Sequence, residues 1–326
     1  MVLGMHRSGT SAVTGVLGCV GVQLGRRLYA ARAGVNEKGF FEHIDITDTD
    51  DEILLALGSS WDDILPLPDG WWDSAELVPL AERVRGYIQR DFSGASLWGL
   101  KDPRMCRLLP WWQKLLTDLT IDTRYLVVVR HPLEVARSLE KRDGFSREKS
   151  LLLWADHYLC VDRWTRKQKR AVVLYDRLLQ APRKEIERIQ SKLDVSFPVA
   201  MDDSIECIQR FLSKDMRHHR AHDSDPEVIP GGDPLRDLAM KVYERLSGAA
   251  MGHDDAMAEE AMSPLHESIE RYRGQFPPLL VENMRAMARH RGRLKRTLGR
   301  VLGSWWWSVG KPFRVVERLV RKDRVR

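Results

Sequence analysis

Cysteine is scarce in this chain: four residues in 326, at Cys19, Cys106, Cys160 and Cys207, with no C-x-x-C pair among them. That scatter suggests neither a zinc site nor a disulfide framework, and reduced thiols in a cytoplasmic protein are the plain expectation. No apolar run approaches membrane-spanning length, so no transmembrane helix is expected. No signal peptide is expected either, because the first apolar segment, Val2-Leu3, begins almost at Met1; its shortness suggests a clipped or misassigned start. Internal repeats are absent too. The formal charge of +6 hides an asymmetry: residues 289–326 hold 13 Lys and Arg against Glu317 and Asp323, which leaves residues 1–288 at about −5. A uniformly basic face for nucleic acid is therefore not expected, and the basicity belongs to the C-terminus. With 43% hydrophobic residues the chain can bury one sizeable core and a helical annex.

What the chain does have is a compact signal near its start. Gly4-Met5-His6-Arg7-Ser8-Gly9-Thr10-Ser11 follows Val2-Leu3 and precedes a helix-like run, Ala12 to Leu17. Strand, glycine-punctuated turn and helix N-terminus in that order aim backbone N–H groups and the positive helix end at an anion, so a phosphate is expected there. A tight turn without a ligand would use the same glycines. The spacing is almost that of a Walker A loop, but Thr10 stands where the loop lysine would be. That lysine serves the β- and γ-phosphates, so its absence argues against ATP or GTP hydrolysis. Arg7 supplies a nearby charge instead, which suits a nucleotide with one 5′-phosphate carrying one further group.

Further along, Asn36-Glu37-Lys38-Gly39-Phe40-Phe41-Glu42-His43 sets two carboxylates, a lysine and an imidazole around two aromatics. Such a neighbourhood can tune a carboxylate for general-base work; it can equally be a loop whose phenylalanines plug the core. Leu97 to Leu100 reads as a strand ending in Lys101-Asp102-Pro103-Arg104, either an anion clamp at the carboxyl edge of a sheet or a structural salt bridge. Tyr125 to Val129 reads as a strand buried on both faces; Arg130 beyond it and Ser138 in the following helix suit a second phosphate. A third strand, Ala171 to Leu174, leads into Tyr175-Asp176-Arg177-Leu178-Leu179. This rhythm predicts an α/β fold, a P-loop-like three-layer sandwich with a mostly parallel sheet. Helices are expected over Ile44–Leu57, Asp73–Phe92, from Pro110, over Ser150–Lys169 and over Pro182–Leu193. Pro234–Leu246 and Pro277–Leu302 then form a C-terminal helical extension, with an unassigned Met/Ala/acidic stretch between them. The aromatic loop from Trp61 to Trp72 is expected to cap the core rather than stack on a sugar. His218, His219 and His222 invite a metal, but no partner is spaced to complete a site, and no metal is expected.

Three elements in order then make the chain resemble a known family: Arg7-Ser8-Gly9-Thr10-Ser11 after a first strand, Arg130 with Ser138 eight residues on, and Tyr175-Asp176-Arg177-Leu178-Leu179 after a later strand. Over about residues 2–222 it resembles the sulfotransferases that use 3′-phosphoadenosine 5′-phosphosulfate (PAPS), particularly their bacterial branch. The resemblance implies that Arg7, Ser8, Gly9, Thr10 and Ser11 bind the 5′-phosphosulfate, that Arg130 and Ser138 hold the 3′-phosphate, and that Tyr175 lies near the adenine. It implies sulfuryl transfer from PAPS to a hydroxyl, with release of 3′-phosphoadenosine 5′-phosphate (PAP). Glu42 is the expected general base, with Glu37 and His43 in reserve; Arg7 and Lys101 are the expected catalytic cations. Arg104 would help steady charge or orient Asp102, and Arg217 and Arg220 would close over the nucleotide. Two departures stand out: Ala12 replaces an aromatic frequent in eukaryotic cytosolic members, and Arg7 replaces the common lysine, a fork for a point donor.

The expected organisation is a catalytic domain at 1–225, a helical extension at 226–292 and a basic, Trp-rich amphipathic tail at 293–326. Cations flanking Trp305-Trp306-Trp307 suit an anionic membrane surface, with a helical annex on the body as the alternative. The expected protein is cytoplasmic, peripheral at the inner membrane face, and acts on a carbohydrate or glycolipid acceptor. Two rival functions remain: a P-loop small-molecule kinase, and a non-catalytic nucleotide-binding module at the membrane.

Overall fold

The computed structural model describes residues 1–32, 36, 38–212, 232–253 and 257–303. Three strands, β1 (Val2–Leu3), β2 (Tyr125–Val129) and β3 (Arg170–Leu174), pair in parallel in the order β1-β2-β3. Val2 registers with Leu126, and Val129 with Leu174. Beyond β1 the sheet continues through parallel bridges, Val2 to Lys101 and Gln23 to Trp98, so the expected strand at 97–100 exists as bridged backbone. The helices are α1 (Thr10–Cys19), α2 (Ile44–Ala56), α3 (Val78–Phe92), α4 (Met105–Asp118), α5 (Pro132–Asp143), α6 (Arg147–Thr165), α7 (Tyr175–Gln180), α8 (Pro182–Leu193), α9 (Met201–Phe211), α10 (Pro234–Ala250), α11 (Glu259–Arg273) and α12 (Pro278–Gly303).

The period-two alternation of the strands makes three layers. Tyr125, Val127, Val129, Val172 and Leu174 enter a core shared with α2 to α6, α10 and α11. Leu126, Val128, Ala171 and Val173 enter a second core against α1, α7, α8 and α9. The architecture is thus the P-loop-like α/β sandwich expected, with a C-terminal helical extension. α10 packs on α6 and β3 within the first core, and α12 crosses position 292/293 as one helix.

Several elements differ from expectation for local reasons. α4 starts at Met105 because Asp102 Oδ1 accepts from the Arg104 N–H at 3.0 Å and its carbonyl accepts from the Met105 N–H, nucleating the helix five residues before Pro110. α6 starts at Arg147 because the Ser146 hydroxyl caps Lys149 N–H at 3.2 Å. The unassigned acidic stretch contains α11, which buries Met262, Leu265 and Ile269 at helical spacing. Cys19 and Cys207 form a disulfide joining α1 to α9, with Cα atoms 5.7 Å apart. This corrects the expectation of four reduced thiols; partners 188 residues apart leave no spacing motif to read. Cys106 and Cys160 are free.

Candidate functional site

Gly9 caps α1 in the left-handed conformation (φ 86°), and no side chain caps that helix end. Its first-turn N–H groups therefore face outward at the carboxyl edge of the sheet. Gly9 has a steric reason as well: a Cβ there would lie 2.2 Å from the Tyr175 ring. Gly4 is similarly closed in, since its Cβ would meet the Val128 carbonyl oxygen at 2.5 Å. Arg7, between them, also has positive φ, 69°. The turn brings its guanidinium across to α5, where Nε donates to Ser138 Oγ at 2.8 Å.

Arg130 arrives from the end of β2. Its Nε pairs with Glu134 Oε2 one helical turn on, at 2.7 Å, and its Nη1 reaches the Arg7 carbonyl at 3.5 Å. The same guanidinium lies 5.2 Å from the centroid of the Tyr175 ring, which covers Gly9. Arg7, Ser8, Gly9, Thr10, Ser11, Arg130, Ser138 and Tyr175 thus converge on one end of the sheet, from three separate βα junctions. Burial, followed by the charges of Arg142 and Arg130, lowers the Arg7 pKa from its ordinary value. Cations are crowded here.

A second cluster flanks the loop. Lys101 Nζ pairs with Glu42 Oε1 at 2.5 Å and donates to Ser11 Oγ at 3.3 Å and to the Phe40 carbonyl at 3.2 Å. Ser11 Oγ also accepts from Asn36 Nδ2 at 2.9 Å. Both Lys101 and Glu42 are buried. The carboxylate and ammonium therefore stand beside the first turn of α1, with Lys101 as the link between the loop and Glu42. Asn36 and Phe40 belong to the 36–43 cluster, but the sequence assigns no role to the Asn36 amide or the Phe40 carbonyl; a backbone oxygen leaves no residue-type signal.

The reserve bases fare differently. His43 caps α2, accepting from Ile46 N–H through Nδ1 at 3.4 Å, and its Nε2 bonds Asp91 at 2.6 Å, so both ring nitrogens are used inside the fold. Glu37 lies outside the described residues, as do Arg217, Arg220 and the three histidines. Among the described residues no cluster of His, Cys, Asp or Glu has metal-ligand geometry. Arg104 does not join the loop: it pairs with Asp51 at 2.7 Å and Asp102 at 3.0 Å. The tryptophan loop caps the core, with Trp71 buried and Trp72 edge-on to Trp164, while Trp61 lies 4.3 Å from the His6 ring.

Asp102 has a second neighbour, the fully buried Asp50. Burial, then the Asp102 charge, raises the Asp50 pKa well above 3.8, while Trp112 Nε1 donates to Asp50 Oδ1 at 2.9 Å. The raised pKa favours the protonated carboxyl at Asp50. Because the unfolded chain releases that proton above pH 3.8, this group costs stability as pH rises. Asp50→Asn keeps both a donor and an acceptor. It is expected to match the wild type in Tm below pH 3.8 and to exceed it at pH 7; a lower Tm at pH 7 would reject the raised Asp50 pKa.

No family model and no curated protein matches this sequence. Among solved structures, the chain is similar to the sulfotransferase domain of the Synechococcus PCC 7002 olefin synthase, with 16% identity, a TM-score of 0.45, and coverage of 74% of this chain and 92% of that one. A likeness at that level assigns no family, and the functional reading rests on the residues of the site themselves.

Proposed function

We propose that the protein is a PAPS-dependent sulfotransferase that moves a sulfuryl group to a hydroxyl and releases PAP. The observation that carries this reading is the meeting of Arg7, Ser138, Arg130 and Tyr175 at the uncapped N-terminus of α1, in a loop whose Walker lysine position is Thr10. PAPS has a 5′-phosphosulfate and a separate 3′-phosphate, and so asks for two anion sites joined by a base-stacking surface. The donor set fits: first-turn N–H groups with Ser8, Gly9, Thr10 and Ser11 for one anion, Arg130 and Ser138 for the other, and the Tyr175 ring nearby. The crowding of Arg7, Arg130 and Arg142 is the condition that a bound polyanion relieves.

In this reading Glu42 takes the proton from the acceptor hydroxyl as its oxygen attacks sulfur. The bond from sulfur to the bridging oxygen of the phosphosulfate breaks, and PAP leaves with those electrons. Lys101 and Arg7 stabilise the charge that gathers on the bridging and sulfuryl oxygens, the part a metal ion plays in phosphoryl transfer. Lys101 is suited to this because it already touches both Ser11 and Glu42. A carbohydrate or glycolipid hydroxyl is the proposed acceptor, on the strength of the basic, tryptophan-bearing C-terminus, which suits enzymes working beside a membrane.

Thermal unfolding with nucleotides tests the reading. PAP is expected to raise Tm, by about 2.7 kcal/mol of stabilisation at a hundred times its Kd, while ATP with Mg²⁺ leaves Tm unchanged. The reverse pattern would replace the sulfotransferase by a kinase. Binding of PAP without transfer from PAPS to any acceptor in an extract of the host would leave a nucleotide-binding module.

A further inference from the structure

We propose that α12 is an interfacial helix, whose row of Leu280, Met287 and Leu294 lies on a lipid surface bearing anionic headgroups. These side chains are 48%, 71% and 57% exposed, and Leu279 beside them is 68% exposed. Most of the exposed large hydrophobic residues of the described chain therefore belong to this one helix. Their spacing of seven places them along one stripe, since seven residues fall only about 20° short of two turns.

The stripe points away from the body. α12 meets the protein through α2: a Cβ on Gly292 would stand 2.7 Å from Leu55 Cδ1, and Arg289 Cγ lies 3.3 Å from the Cβ position of Gly58. At about 100° per residue, Gly292 and Arg289 share one face of the helix, and Leu280, Met287 and Leu294 occupy the opposite one. Nothing among the described residues covers that face, and the glycine lets the helix seat closely on α2 while holding the stripe outward.

Charge selects the occupant. Positions 278–303 carry seven Lys and Arg against Glu282 alone. Two such helices brought together would oppose like charges along their whole length, which disfavours a second copy of this chain. An anionic bilayer answers both features: acyl chains receive the apolar row, and anionic headgroups complement the sequence's surplus of positive charge. No described helix is long and apolar enough to cross a membrane, in keeping with a helix lying in the surface plane. The docking face thus begins at Leu279, upstream of the 293–326 tail.

Flotation of the full chain with vesicles tests this without any nucleotide, so its outcome is separate from that of the sulfotransferase reading. The wild type is expected to float with vesicles of mixed phosphatidylglycerol and phosphatidylcholine, and to bind pure phosphatidylcholine far less. Leu280→Ser, Met287→Ser and Leu294→Ser combined should weaken binding by about tenfold or more. These positions are exposed, so circular dichroism should show the helix retained. Failure of the wild type to bind, equal binding to neutral vesicles, or unchanged binding of the triple variant would each overturn the proposal. A concentration-dependent dimer in sedimentation, abolished by the triple substitution, would make the partner a second copy instead and overturn it as well.

Discussion

Glu42→Gln is expected to lower sulfuryl transfer by about 10²–10⁴-fold and to leave PAP binding within a fewfold of the wild type. The substitution is nearly isosteric. The amide oxygen of the new side chain can still accept from Lys101, as Glu42 Oε1 does at 2.5 Å, so the ammonium keeps its place beside Ser11. What disappears is the basic lone pair that would take the acceptor proton. A binding residue would show the opposite split, with weaker PAP affinity and a transfer rate that recovers at saturating nucleotide. Radiolabelled PAPS incubated with a host extract, followed by counting of labelled product, reads the rate; calorimetry with PAP reads the affinity. A variant that transfers within about threefold of the wild type would remove Glu42 from the base role. His43 is not available to replace it, because Asp91 and the Ile46 N–H occupy both of its nitrogens.

Local chain chemistry made much of this site readable. Gly4 and Gly9 mark positions where backbone or ring would collide with a side chain, and such positions are written as glycine whatever the wider fold. The buried strands announced themselves as runs of β-formers because each of their faces enters a core. Arg130 and Ser138 could be placed because both follow a strand by a fixed count. Contacts between distant segments were not legible. The Cys19–Cys207 disulfide, the raised pKa of Asp50 near Asp102 and the tie between Lys101 and the Phe40 carbonyl each depend on how separate elements dock. Helix starts were misplaced where a single side chain decided them: Ser146 for α6 and Asp102 for α4.

Asp156→Ala is expected to cost about 3–5 kcal/mol of stability, several times what an exposed ion pair contributes. Asp156 is buried on α6 between two buried guanidiniums: Arg273 Nη2 from α11 at 2.7 Å, and Arg107 Nε from α4 at 3.4 Å. The same arginines hold the tryptophan loop by its backbone, Arg107 through the carbonyls of Ser60 and Leu65 and Arg273 through that of Ile64. Removing the carboxylate leaves two desolvated cations facing each other, whereas Arg273→Met removes one cation and leaves Asp156 paired with Arg107. The alanine variant should therefore be the less stable of the two in urea denaturation. Burial alone would raise the Asp156 pKa, but Arg273 and Arg107 together pull it below 3.8. Its contribution is thus fully present above that value and is lost as pH falls through the lower folded-state pKa, so the gap between wild type and Asp156→Ala should narrow in acid. The effect should also reach the Gly4–Ser11 loop, because Trp61 on the pinned segment lies against His6, next to Arg7. PAP affinity measured well below the unfolding midpoint should fall in Asp156→Ala. A stability loss under about 1 kcal/mol, or a gap that does not change with pH, would mean that the buried cluster is not what fastens α11 and α4 to α6.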